Sequence, residues 1–145
     1  MNILRFMIPK SLVEYIDTDS TVRQAVEKMR FHRYVAIPVI DKEGRYVGTL
    51  RNDDLLKYFL EEGSFALTSA ERTSAYGIIE KGYSKAVYHN ATMNELIEGI
   101  KEHNFVSVVD DRGCFIGIIL RRDILNFLLA YYEENRDANT EKTGG

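Results

Sequence analysis

Apolar residues in the stretch TVRQAVEKMRFH, residues 21–32, fall at Val22, Ala25, Val26 and Met29. That i, i+3, i+4, i+7 spacing is one face of an amphipathic helix. Residues 92–103, TMNELIEGIKEH, repeat the spacing with Met93, Leu96, Ile97 and Ile100. Each stretch opens on a capping box, Thr21 with Gln24 and Thr92 with Glu95. There the hydroxyl and the N3 side chain satisfy amides that the first turn leaves orphaned. Each stretch ends on a histidine, His32 and His103, where a partly charged imidazole suits the C-terminal dipole.

The period then shortens. IPVIDKEGRYVGTLRNDDLL (37–56) lies over VSVVDDRGCFIGIILRRDIL (106–125). Val39 and Ile40 match Val108 and Val109, β-branched and short enough for buried strands. Asp41–Gly44 and Asp110–Gly113 read as tight hairpin turns, and YVGTL and FIGII as the return strands. A helix follows each, DDLLKYFLEE up to Gly63 and DILNFLLAYYEE into a polar tail. First strands are expected at Val13–Asp17 and Lys85–His89. From Thr21 to Thr92 the copies are 71 residues apart, but from Gly44 to Gly113 only 69. The second copy has lost two residues between helix and strand.

The unit is strand, helix, strand, strand, helix, used twice, in an α/β fold. Neither copy buries its apolar face well alone, so the two should pack sheet against sheet about a pseudo-two-fold. The expected organisation is a first motif at 1–63, a connecting segment at 64–82, a second motif at 83–134 and a disordered polar tail at 135–145. In the connecting segment, Thr68 with Glu71 suggests a capped short helix.

Composition narrows the function. The chain has 145 residues, 45% hydrophobic and 28% charged, which fits a globular domain with a real core. A formal net charge of -3 offers no basic footprint for nucleic acid. The start, MNILRFMIPK, is too short in its apolar run for a secretory signal, and no run is long enough to span a bilayer. One cysteine, Cys114, cannot form an internal disulfide, so a reducing, cytoplasmic setting is expected. His89 stands alone and no histidine pair has metal-ligand spacing. Without a nucleophile and base, a carboxylate pair or a metal cluster, the chain reads as a non-enzyme with no cofactor.

The doubled order PVID..G..VG, with an aspartate six residues after the second glycine, resembles the CBS motif. Gly48 with Asp54 and Gly117 with Asp123 carry it. Two copies in tandem resemble a Bateman module, the regulatory CBS pair, and the likeness runs to about Glu134. It implies clefts between the motifs, adenosine ligands, and pairing of modules into a flat disc-like homodimer. It also implies that the aspartate opening the last helix accepts from ribose hydroxyls, beside helix amides that favour phosphate.

Carried onto these residues, the likeness pairs Arg121, Arg122 and Asp123 with Leu12–Ile16 and Tyr34–Pro38. The nucleotide-binding set is Val13, Glu14, Tyr15, Tyr34, Val35, Ala36, Ile37, Pro38, Arg121, Arg122 and Asp123. The arginines would take phosphate or base and Asp123 the sugar, while alternation lets only about half of the strand residues face one cleft. The plainer alternative is a pair of solvated arginines and an aspartate favoured by the helix dipole. The first copy reads RNDD, so Asp53 beside Asp54 repels phosphate; Arg51, Asp54 and Lys85 form a second, weaker site. The family's Thr or Ser three residues before the aspartate is Arg51 in one copy and Leu120 in the other, which weakens plain ribose recognition. NFVSVVDD with FIGIILRR is similar to the CBS pairs that bind cyclic di-AMP. The expected function is therefore an adenine-nucleotide sensor (AMP, ATP or cyclic di-AMP) that signals to a separate regulated protein. The alternative is a ligand-free dimeric adaptor.

Overall fold

The computed structural model describes residues 2–63, 66–82 and 85–143. The expected boundaries at 64 and 83, Met1 and the last two residues of the tail lie outside them. The strands are β1 (Ile8–Pro9), β2 (Ile16–Asp17), β3 (Ala36–Ile40), β4 (Tyr46–Arg51), β5 (Val87–Tyr88), β6 (Phe105–Val109) and β7 (Phe115–Leu120). The helices are α1 (Val22–His32), α2 (Asn52–Glu62), α3 (Ala66–Ser69), α4 (Met93–Gly99) and α5 (Arg121–Thr143). Single 3-10 turns occupy Ile3–Phe6, Lys10–Leu12 and Tyr76–Ile78.

Both capping boxes form as the pattern requires. Thr21 Oγ1 accepts from Gln24 N at 3.1 Å while Thr21 N donates to Gln24 Oε1 at 2.9 Å. Thr92 and Glu95 exchange the same pair at 3.2 and 2.8 Å. Thr68 caps nothing, because it lies inside the four-residue α3. The connection is not one helix but two short turns, pinned where Thr21 and Ser74 form an isolated antiparallel bridge.

The two hairpins are equivalent. In each turn the aspartate Oδ1 accepts two backbone amides at 2.9 Å, Asp41 from Glu43 and Arg45, Asp110 from Arg112 and Cys114. Gly44 takes φ 84° and Gly113 φ 80°, the left-handed region that a side chain disfavours. The turns also hold each other: Tyr46 N donates to Gly113 O at 3.0 Å and Phe115 N to Gly44 O at 2.9 Å. This mutual pairing is the pseudo-two-fold contact between the repeats.

One sheet runs β2-β3-β4, with β2 parallel to β3 and β3 antiparallel to β4. The other runs β1-β7-β6-β5. Its extra strand is the N-terminal segment, paired antiparallel to β7 with Ile8 opposite Ile118 and Pro9 opposite Gly117. Ile3, 1% exposed, sits in the second repeat's core with Leu96, Ile119 and Ile124. The segment that opens the first motif in sequence thus packs on the second. Gly117 permits this, because a Cβ there would overlap the Ile8 carbonyl and lie 2.7 Å from Met7 Cγ. Only Ile16–Asp17 and Val87–Tyr88 of the expected first strands join a ladder.

Each central strand is buried along its length. Ile37 and Val39 enter one core with Val22, Ala25, Met29 and Leu50; Val106 and Val108 enter the other. The alternate residues Ala36, Pro38, Phe105 and Ser107 turn toward the space between the repeats.

Two expectations about helix ends are corrected. The helix expected over residues 92–103 stops at Gly99, with Ile100 as its C-cap at φ -92° and ψ 1°. The missing two residues explain this. A helix advances about 1.5 Å per residue and extended chain about 3.3 Å, so unwinding the last turn lets the shorter link reach β6. His103 is therefore not at a helix end, whereas His32 closes α1 as expected. The tail expected to be disordered continues α5 to Thr143. It is exposed from Leu129 through Thr140, so local order alone holds it. Asn135 Nδ2 donates to Tyr131 O and Thr140 Oγ1 to Arg136 O, both at 2.9 Å, among good helix formers. Among the described residues no helix is long and apolar enough to cross a membrane.

Candidate functional site

The break between strand and helix recurs at both repeats. Asn52 N, opening α2, donates to Val35 O at 3.0 Å, and Arg121 N, opening α5, to Asn104 O at 2.8 Å. These bonds hold each helix start against the segment that leads into the central strand of the same repeat. Hollows lie on either side of that seam.

A cavity of about 270 Å³ is walled by Ile8, Leu12, Val13 and Glu14 from the N-terminal segment. Arg33, Tyr34, Val35, Ala36 and Pro38 form a second wall, and Asn104, Phe105, Ile118 and Leu120 close the rest. Of the residues expected at the nucleotide site, Val13, Glu14, Tyr34, Val35, Ala36 and Pro38 come together here. Ile37 does not, being wholly buried in the first core. Tyr15 does not either. Its ring meets Phe115 edge-on at 6.0 Å and carries Lys10 Nζ at 5.2 Å over its face. Alternation accounts for Ile37, which lies between Ala36 and Pro38 on β3 and so points to the opposite side.

Arg121 and Arg122 line an adjoining hollow that shares Asn104 and Leu120 with the cavity. Their situations differ. The Arg121 guanidinium donates to Ile100 O from Nε at 2.8 Å and from Nη2 at 2.5 Å, and to Lys101 O at 3.3 Å. It satisfies the carbonyls that the early end of α4 leaves open. The Arg122 side chain is 76% exposed, with Asp123 Oδ1 3.9 Å from its Nε. Asp123 lines none of the hollows described and is 38% exposed at its side chain.

The equivalent aspartate of the first repeat is locked away. Asp54 and Arg51 are buried. Asp54 Oδ2 accepts from Arg51 N at 2.9 Å, and its Oδ1 lies 3.2 Å from Arg51 Nη2 and accepts from Glu80 N at 3.3 Å. The same Nη2 meets Glu80 Oε2 at 2.9 Å. Asp53, 83% exposed at its side chain, stays 3.7 Å from Arg51 Nη1. Lys85 lines a different cavity, of about 260 Å³, with Tyr46, Thr49, Ser107, Glu95, Glu98 and Glu102. Arg51 and Asp54 do not reach it, so the three residues of the expected weaker site do not share one pocket.

Between the two helix starts, a central hollow holds Arg51, Asp53, Glu102, His103 and Arg121. Burial first, and the Arg51 and Arg121 guanidiniums next, hold the His103 imidazole below its ordinary value of 6.5. Sequence reasoning missed Ile8, Arg33, Asn104, Phe105, Ile118 and Leu120 as cavity walls. The repeat held part of the signal, since Asn104 and Phe105 are the counterparts of Val35 and Ala36. Among the described residues no cluster of His, Cys, Asp and Glu could hold a metal ion.

No curated protein sequence matches the chain. Solved structures do. A CBS domain protein from Streptococcus pneumoniae TIGR4 is 25% identical with a TM-score of 0.77, covering 88% of this chain and 86% of that one. The Listeria monocytogenes CbpB protein in complex with c-di-AMP is 20% identical with a TM-score of 0.78, covering 92% and 98%. CBSX2 in complex with AMP is 21% identical with a TM-score of 0.68, covering 90% and 98%. The family profile described as CBS domain matches residues 6–61 and 84–130, the two repeats built above. With both motifs matched and the paired-repeat architecture in place, the chain belongs to the CBS domain family.

Proposed function

We propose that the chain is a non-enzymatic sensor that binds an adenine nucleotide in the 270 Å³ cleft and passes the bound state to a separate cytoplasmic protein. One observation carries the reading. Six expected residues from two distant segments, Val13, Glu14, Tyr34, Val35, Ala36 and Pro38, wall one apolar cavity that opens beside Arg122. Tyr34 and the Val35–Pro38 edge suit a base, in a mostly apolar cleft with a few polar groups at its rim. Arg122 takes the phosphate, because the Arg121 fork already serves backbone carbonyls. Asp123, opening α5 beside it, takes a sugar hydroxyl. Relatives of this fold are described as complexes with c-di-AMP and with AMP, which supports the ligand class. Cyclic di-AMP suits a site with an exposed guanidinium, that of Arg122, beside an extended apolar slot.

The module pairs with a second copy through the exposed faces of α2 (Leu56, Leu60) and α5 (Leu125, Leu129, Tyr132). A ligand acts through such a dimer only if it binds one arrangement more tightly than another. Titration calorimetry with AMP, ATP and cyclic di-AMP tests the site. Arg122→Ala should weaken binding by about tenfold, the scale of one charge-assisted contact, and Asp53→Ala should leave it nearly unchanged. Equal losses from the two would overturn the assignment. A second reading, a ligand-free dimeric adaptor, draws on the closed Arg51–Asp54–Glu80 network and the exposed leucine faces. It predicts a dimer in light scattering with no heat from any of the three nucleotides.

A further inference from the structure

Helix α5 outruns the body it packs on. Ile124 is fully buried, Leu128 packs on the same core, and the Phe127 ring meets Phe6 edge-on at 5.3 Å. Tyr131 continues this stripe, seven residues after Ile124 and four after Phe127, yet it is 60% exposed. A face built to be covered has run past its cover. From Leu129 through Thr140 every residue is exposed, beyond residue 130 where the second CBS motif ends. A helix of about a dozen residues without tertiary contacts is marginal in water. Glu133 and Asp137, like charges four residues apart, weaken it further. Glu134, three residues after Tyr131, has no ion pair among the described residues.

Complementary chemistry stands at the end of α1. Phe31 is 83% exposed, on the side of the helix away from the buried Val22 and Met29. Its neighbours Arg30 and Arg33 are exposed and have no ion pair among the described residues. Lys28 and His32, by contrast, both meet Glu14, at 3.2 and 3.6 Å. The α1 end therefore offers an aromatic ring flanked by positive charge, and the α5 overhang an aromatic ring followed by negative charge. Within one chain the two do not cover each other, since both are exposed.

We infer that the α5 overhang of one copy docks on the α1 end of a second copy, Tyr131 against Phe31 and Glu134 against Arg30. The aromatic pair supplies apolar area and the charges fix the register. Both halves belong to one chain, so a two-fold axis makes the contact twice and closes the dimer. The contact goes beyond the α2–α5 pairing proposed above and uses a different side of α5 from Leu125 and Leu129. It shares with that reading only the presence of a second copy.

Sedimentation equilibrium on the full chain without nucleotide tests it. Phe31→Ala and Tyr131→Ala should each raise the dimer dissociation constant at least about tenfold, because the two-fold removes each anchor twice. Arg30→Glu and Glu134→Arg should each weaken the dimer at low salt. Together they should return it to within about threefold of the parent, since the pair re-forms with its signs exchanged. All four positions are exposed, so the chain still folds. Hydrogen exchange gives a second readout: amides of residues 131–140 should exchange slowly in the parent dimer and quickly in Tyr131→Ala. A dimer indifferent to Phe31→Ala and Tyr131→Ala overturns the inference, as does a double charge reversal no tighter than either single one. If Leu125→Ala still weakens that dimer, the α2–α5 pairing stands without this contact. A dimer that needs Phe31 and Tyr131 but ignores Leu60→Ala and Leu125→Ala keeps this contact and refutes the α2–α5 pairing. A monomer at every concentration overturns both.

Discussion

Gly117→Ala tests whether the N-terminal segment is part of the second repeat's structure. A Cβ at 117 would overlap the Ile8 carbonyl oxygen and stand 2.7 Å from Met7 Cγ and 2.9 Å from Met7 Sδ. The carbonyl belongs to backbone and cannot rotate away, so β1 must lift from β7. Lifting it breaks the short ladder at Ile8 and Pro9 and pulls on Ile3, which is 1% exposed. Full exposure of one isoleucine costs about 1.5–3 kcal/mol, and each ladder hydrogen bond adds about 1 kcal/mol. A loss of about 3 kcal/mol is expected in urea unfolding, together with faster proteolytic cleavage near residues 7–13. Gly77→Ala is the control, because its nearest neighbour, Ser74 Cβ, is at 3.7 Å. Ile8 also walls the cleft, so nucleotide affinity should fall with Gly117→Ala and hold with Gly77→Ala. A Gly117→Ala protein within about 0.5 kcal/mol of the parent, the spread of ordinary surface substitutions, would refute the reasoning.

The two motif aspartates should part company under mutation. Asp54→Ala leaves the buried Arg51 without its buried carboxylate partner and should cost about 3 kcal/mol, whereas Asp123→Ala, at a half-exposed helix start, should cost under about 1 kcal/mol; chemical denaturation of both variants checks this. The His103 imidazole is held below its ordinary 6.5 in the folded chain, so the unfolded chain protonates first as pH drops. The parent should therefore lose stability as pH falls through 6.5 toward the lower folded value. His103→Gln should flatten that part of the acid limb, and urea midpoints at intervals between pH 7.5 and 5 read it directly.

Much of the fold was legible because repetition supplies its own control. Two helical faces, two capping boxes and two Asp-x-x-Gly turns at matched positions leave little freedom about the unit; the caps and turns stand in the structure, and the second helical face is cut short at Gly99. The site was half legible. Val13, Glu14, Tyr34, Val35, Ala36 and Pro38 share one cavity, but which strand residues face it depends on a register that the sequence does not print. Arg121 and Arg122 are alike as letters. Only the early end of α4 gives Arg121 two carbonyls to hold and leaves Arg122 exposed.

The sequence by itself determined the repeated unit, its caps and its turns, because these rest on contacts within a few residues. It also determined the charge contrast between RNDD and LRRD. Tertiary structure alone decided that residues 3–9 join the second repeat, that Asp54 is sealed by Arg51 and Glu80, and that Ser107 faces a hollow. Those outcomes depend on which surfaces meet across many residues of chain, and local pattern carries no record of that.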